Sequence, residues 1–265
     1  MKNIFTVLLC AVLSTMCVAA EEVVLATTTS AQDSGLLPHL TQIFMKETGI
    51  SVKTLAVGTG QAFHIARRGD ADVVLTHDEE QELRFMNEGY GATRRSVMYN
   101  DFIIVGPSDD PAHIRGQTAK EGMTRIAAAN SPFVSRGDKS GTHGLELRLW
   151  KIAGIAAFDP SWYRSVGSGM GATLNVAAST DSYTLVDRAT WLHFANRQNL
   201  AALVEGDHVL FNQYSVITLN TQKVSASNAH LGQRFADWLV SPATQAHINN
   251  FKIVGQKVYI PNARR

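Results

Sequence analysis

Twice in this chain a short β-type run gives way at once to hydroxyl-bearing residues that open a helix. The first is Thr27-Thr28-Thr29-Ser30, and the second is Ser135-Arg136-Gly137-Asp138-Lys139-Ser140-Gly141-Thr142. A strand that turns directly into a helix leaves the first-turn amides without intrahelical partners, at the positive end of the helix dipole. Such a turn suits an oxyanion, and the second one adds an arginine. Two sites of this kind, about a hundred residues apart, predict two lobes that close on one anion.

The N-terminus predicts a secretory leader over residues 1–20. Lys2 supplies a positive start, Ile4 to Val12 are almost all apolar, and Val18-Ala19-Ala20 offers a small-residue cleavage site before Glu21. The apolar run is too short for a membrane span. Met16 argues against lipidation at Cys17. Cys10 and Cys17 are the only cysteines, so a mature chain carries no disulfide and no thiolate. Without Lys2, basic and acidic side chains balance, which argues against nucleic acid and against a polybasic membrane binder. The remaining length of about 245 residues suits two domains.

Strand and helix patterns alternate along the chain. Glu22–Ala26 reads as a strand, and Leu36, Leu37, Leu40, Ile43 and Phe44 recur at helical spacing up to Gly49. Ile50–Val57 is a strand, Gly58-Thr59-Gly60 a turn, 61–68 a helix and 72–75 a buried strand. Short loops with this alternation predict a mostly parallel α/β sheet. A second series runs from the strand at 99–105 through helices at 120–129, 140–153 and 171–178. It ends in the strand 211–217, followed by helices near 229–240 and 244–251. The strands at 99–105 and 211–217 share a polar start and an apolar end. They predict two crossings between lobes, at 99–102 and 209–214. Lobe 1 is then 21–98 plus 213–265, and lobe 2 is 99–212. Two crossing strands make a hinge of the ligand-closing kind.

The motifs, in order, resemble a known family. Ala26-Thr27-Thr28-Thr29-Ser30 with Asp33-Ser34-Gly35-Leu36-Leu37 is similar to the N-terminus of the tungstate-binding periplasmic proteins of ABC transporters. So are Val57-Gly58-Thr59-Gly60-Gln61-Ala62, Tyr99-Asn100-Asp101-Phe102, Ser135 to His143, and Gly169-Met170-Gly171. The similarity covers essentially the whole mature chain. It implies a two-lobe periplasmic binding protein fold of type II-like topology. It also implies a soluble receptor that captures tungstate or molybdate and hands it to a membrane permease. No cofactor is expected, and a monomer suits the role.

Residue chemistry points the same way. Tungstate and molybdate are deprotonated dianions that want only donors. Thr29 and Ser30, with Thr59 and Gly60, supply hydroxyls and amides from lobe 1. Ser135 and Arg136 reach from lobe 2, and a guanidinium can grip two oxygens. Ser140, Gly141 and Thr142 open one helix, and Gly169, Met170 and Gly171 open another, where glycine allows close approach. Tyr183 or Thr184 offers a last hydroxyl. Each has a plainer reading. Thr29, Ser30, Ser140 and Thr173 fit helix N-caps worth about 1 kcal/mol each, and Arg136 fits a surface partner of Asp138. The convergence of four similar turns in one order favours the anion site.

Other chemistries fare worse. Nine histidines include no His-x-x-x-His pair, which argues against a metal centre. No Gly-x-Ser-x-Gly elbow occurs, so a secreted hydrolase lacks its nucleophile turn and no catalytic residue is assigned. Phosphate keeps a proton near neutral pH, so a carboxylate from Asp33 or Asp138 in the cleft would favour it. Sulfate would differ from tungstate only in size.

Overall fold

The computed structural model describes residues 21–156, 158–226 and 228–263. The leader expected at 1–20 lies outside them. The chain opens with β1 (Glu22–Thr28), α1 (Thr29–Asp33), α2 (Leu36–Thr48), β2 (Ser51–Val57), α3 (Thr59–Arg67), β3 (Val73–Thr76) and α4 (Glu79–Asn87). A long β4 (Gly91–Pro107) leads to α5 (Ala119–Ala128), β5 (Phe133–Ser135), α6 (Gly141–Ile152), β6 (Tyr163–Ser165) and α7 (Met170–Ser179). Next come β7 (Thr184–Asp187), α8 (Arg188–His193) and β8 (Leu200–Val204). The chain closes with β9 (Phe211–Leu219), α9 (Ala229–Leu239), α10 (Pro242–Asn250), β10 (Lys252–Ile253), β11 (Gln256–Lys257) and β12 (Ile260–Pro261).

Each central strand feeds a core on both faces, as period two requires. In β1, Leu25 joins the core built on Phe44 and Phe235, while Ala26 joins the one built on Phe63 and Phe85. In lobe 2, Ile104, Phe133 and Leu185 pack with Trp150 and Trp162, whereas Ile103, Val134 and Val186 pack with Leu174 and Trp191. The tryptophans therefore serve packing. Helix α2 buries Leu36, Leu37, Leu40 and Phe44 and is bounded at both ends by left-handed glycines, Gly35 and Gly49. Burying each leucine stabilises the fold by about 1.5–3 kcal/mol, so Leu40→Ala would break this face first, at about 2–5 kcal/mol.

The lobe 1 sheet has the order β12-β4-β9-β3-β1-β2. The far half of β4 belongs to lobe 2: residues Gly91–Asp101 pair with β9, and Phe102–Pro107 pair with β7 and β8. β5 pairs with β6 and is bridged to the chain before β7 at Phe133–Tyr183. The sheet is mixed, where the sequence predicts a mostly parallel one. β1, β2 and β3 are parallel, but β9 runs against β3 and β4. The reason is the route of the chain. β1, β2 and β3 end at the cleft between lobes, and β9, returning from lobe 2, starts there.

The same route positions the site. β7 runs against β4, and β5 and β6 are parallel to each other, with β5 bridged in parallel to the segment entering β7. All three therefore end at the cleft from the other side. The helices that follow β1, β2, β5, β6 and β7 all begin there. Ligands in open α/β sheets sit at such carboxyl ends of strands.

Candidate functional site

Two adjoining depressions form the cleft, and they share Thr29, Ser30 and Arg136. The narrower one, about 30 Å³, is lined by Thr28, Gly58, Thr59, His77, Ser140, Gly141 and Thr142 as well. The wider one, about 270 Å³, adds Asp33, Gly169, Met170, Gly171, Asp187, Thr190 and His193. Helix starts from both lobes thus meet around one space.

Their first turns differ from that of the neighbouring α4. α3 and α7 begin at Gly58 and Gly169, which offer no side-chain cap, so their leading N–H groups face the cleft without a partner from the cap. α1, α3, α6 and α7 have no acidic residue in the first turn. α4, beside them, carries Glu79, Glu80 and Glu82 in its first turn and Asp78 as cap. Its positive end is already answered, as is that of α8 by the Asp187 cap, whereas α1, α3, α6 and α7 have no first-turn carboxylate to answer theirs.

Two of the hydroxyls are caps, as the plainer reading allows, but not both where expected. Thr28 caps α1, its Oγ1 accepting the Ala31 N–H at 3.3 Å. Thr29 and Ser30 are therefore first-turn residues with free amides. Ser140 caps α6 by accepting from His143 N at 3.3 Å. Thr173 sits inside α7 and donates to Gly169 O.

Arg136 is the cation of the cleft. Its Nε donates to Asp138 Oδ2 at 3.1 Å, Nη2 contacts the same oxygen, and Nη1 donates to Thr142 Oγ1 at 3.3 Å. Asp138 also accepts from Ser140 N at 3.1 Å. Burial works against the Asp138 charge, but the Ser140 bonds and the Arg136 guanidinium outweigh it and hold the carboxyl below its usual range. One edge of the guanidinium is thus tied to the loop and the other faces the anion space. Gly137 makes the loop possible: its φ is +61°, and a Cβ there would lie 2.8 Å from Ser165 Cβ.

Sequence reasoning passed over His77. It follows β3, and its Nε2 lies 2.9 Å from Ser30 Oγ and 3.1 Å from Thr28 Oγ1. Nδ1 lies 2.9 Å from Asn212 Oδ1, and Asn212 Nδ2 donates to Asn100 Oδ1 at 2.7 Å. Burial lowers the His77 pKa, against the Asn212 bond and the charges of Asp187 and Asp78, which raise it. Burial favours the neutral ring, which lies tilted against Tyr214 with centroids 4.8 Å apart. Asn100 Nδ2 is buried without a hydrogen-bond partner among the described residues, a state that costs about 1–3 kcal/mol. The signal for His77 was its place, the first residue after a buried parallel strand, not any histidine spacing.

Three expected residues lie off the cleft surface. Ser135 is fully buried, and its Oγ accepts the Gly137 N–H at 3.2 Å, shaping the Arg136 loop. Gly60 turns toward Gln81, whose Oε1 would lie 3.5 Å from a Cβ there. Tyr183 sits in the lobe 2 core. Its hydroxyl donates to Asp110 Oδ1 at 3.0 Å and accepts from Ala112 N at 2.9 Å. It precedes β7, so it lies at the end away from the cleft; the residue at the cleft end is Asp187. Asp187 itself accepts from Thr190 N at 2.9 Å and Thr190 Oγ1 at 2.6 Å.

Comparison with known proteins agrees with this layout. A model of the PBP superfamily domain matches residues 18–243. The tungstate-binding protein TupA of Peptoclostridium acidaminophilum is 41% identical over 252 residues, spanning 93% of this chain and 88% of that one. The chain belongs to the TupA family of the PBP superfamily. Solved structures extend the likeness to the backbone. The tungstate-binding protein TupA of Desulfovibrio alaskensis G20 superposes with a TM-score of 0.84 at 42% identity, over 92% of this chain and all of that one. The tungstate ABC transporter structure from Geobacter sulfurreducens gives 0.79 at 41% identity, over 88% of this chain and all of that one. The two-lobe binding-protein fold read from the two crossing strands is the fold of this family. Among the described residues no helix is long and apolar enough to cross a membrane.

Proposed function

We propose that this chain is the soluble receptor of a tungstate ABC importer. It captures tungstate, or molybdate, between the lobes and delivers it to the membrane permease. It binds and does not catalyse. The supporting observation is the narrow part of the cleft. Helix starts from both lobes meet there around Arg136, and no carboxylate lines it. A fully deprotonated dianion needs donors alone, and such donors are strong where water is sparse. The 41% identity to a protein named for tungstate gives the ligand its name.

In this reading Thr29, Ser30 and Thr59 donate from lobe 1. Arg136, Ser140, Gly141 and Thr142 donate from lobe 2, and Gly169, Met170 and Gly171 approach from the adjoining wider part. The lobes divide at the two crossings, 21–98 with 213–265 against 99–212; the change of β4 partners after Asp101 supports this. The leader at 1–20 sends the chain to the periplasm and is removed, and the mature protein works as a monomer. Tungstate is cargo and not a cofactor.

Titration calorimetry of the mature, ligand-stripped protein tests the proposal. Tungstate should bind tightly at one site per chain, with molybdate close or weaker and sulfate silent. Asp33 lines only the wider depression, so phosphate should also be silent. Tight phosphate binding without tungstate binding would overturn the assignment.

A further inference from the structure

Asn100 on β4 and Asn212 on β9 face each other in register, next to the point where β4 changes lobes. Both are almost wholly buried. From them a line of hydrogen bonds runs to the cleft: Asn100, Asn212, His77, then Ser30 and Thr28. The line has a direction. Asn212 Nδ2 gives its proton to Asn100, so Asn212 Oδ1 must accept from His77 Nδ1–H. His77 Nε2 then carries only a lone pair and accepts the proton of one of the two hydroxyls, Ser30 or Thr28, while the other hydroxyl can donate to its neighbour 3.2 Å away.

That direction is wrong for a bound dianion. It turns hydroxyl protons away from the cleft and leaves the Asn100 Nδ2 donor buried and idle. Run backwards, the line mends both faults. With both carboxamides turned over by half a rotation, Asn100 Nδ2 donates to Asn212 Oδ1, Asn212 Nδ2 donates to His77 Nδ1, and Nε2–H donates to the Ser30 and Thr28 oxygens. The hydroxyl protons are then free to point at an anion. The oxygen left unpaired at Asn100 is a carbonyl, which tolerates burial better than an N–H.

We propose that His77 is a positioning residue, and that anion binding reverses this line by moving the ring proton from Nδ1 to Nε2. The inference rests on the oxyanion reading above. The step takes up no net proton: one leaves Nδ1 and one arrives at Nε2, exchanged through water in the cleft. The ring stays neutral because it is packed on Tyr214 and its charged neighbours, Asp78 and Asp187, hold partners of their own. Glu79 shares a surface depression with His77 and reaches instead to Arg94. The hinge pair Asn100–Asn212 thus carries a different hydrogen-bond polarity in the free and loaded states.

The test uses the full mature chain labelled with ¹⁵N-histidine. Imidazole nitrogen spectra report the tautomer without and with tungstate, and His77→Gln or, if that fails to fold, His77→Asn assigns the signals. Calorimetry in two buffers of different ionisation enthalpy counts protons. The expected result is Nδ1–H in the free protein, Nε2–H with tungstate bound, and no proton uptake. Tungstate binding with an unchanged Nδ1–H ring, or with an imidazolium and one proton taken up, would overturn this inference alone. No tungstate binding would overturn both it and the function.

Discussion

Arg136 meets its ligand already aimed. Asp138 holds one edge of the guanidinium and Thr142 receives part of the other, so little rotamer freedom is left to lose on binding. Arg136→Ala should weaken tungstate binding about 100-fold, about 2.7 kcal/mol, with the melting temperature nearly unchanged; calorimetry and thermal melts on the same sample check both. Asp110, away from the cleft, contributes to acid stability. Burial raises its pKa, but the Arg115 and Ile114 amides and the Tyr183 hydroxyl outweigh that and lower it. The unfolded chain therefore binds this proton more readily, so the stabilisation is present above the unfolded carboxylate pKa of about 3.9 and fades as pH falls below it. Asp110→Asn should flatten the fall in melting temperature below about pH 4; an unchanged slope would remove Asp110 from the account. At this scale Arg136 was legible because its loop mixes a cation, hydroxyls and glycines between a strand and a helix. His77 was not, because a lone histidine carries no spacing signal, and its partner Asn212 is 135 residues away.

At the scale of elements, the account depends on helix starts that are left positive. Gly171 sits in the first turn of α7, and a Cβ there meets nothing within 4 Å. Gly171→Asp should therefore stabilise the helix slightly, by about 0.3–1 kcal/mol. The same carboxylate should weaken tungstate binding at least about tenfold, by repulsion and by taking the free amides. Opposite signs in melting temperature and affinity are the expected outcome; affinity unchanged would mean the α7 start does not face the anion. Ser140→Ala should cost about 1 kcal/mol of stability through the lost cap and weaken binding as well. Most elements could be read from periodicity, including α2, α5, α6 and α9. α4 could not: Asp78, Glu79 and Glu80 carry no apolar periodicity, yet they are the cap and first-turn acids of a helix. The direction of β9 was hidden too, because pairing partners leave no mark in a strand's own alternation.

For the molecule as a whole, the proposed function depends on the hinge at the crossings. One guanidinium braces the first crossing: Arg188 Nε donates to Asp101 at 2.6 Å, and Nη2 reaches Glu205, just after β8, at 2.9 Å. Arg188→Met should cost about 2 kcal/mol of stability, seen as a lower melting temperature, and should widen the ligand-free scattering profile. Tungstate should then still contract it; no contraction in either protein would contradict closure. The strands at 99–105 and 211–217 were legible from their matching polar starts, and the long β4 was visible only in part, since the adjacent half-buried Arg94 and Arg95 break the apolar alternation of Gly91 to Met98. The most direct measurement is a crystal structure of the tungstate complex with anomalous data at the tungsten edge. One strong peak within hydrogen-bond reach of Arg136 and of Thr29 or Ser30, with donors from both lobes, is the expected result. A peak held by one lobe alone, or away from Arg136, would contradict the account.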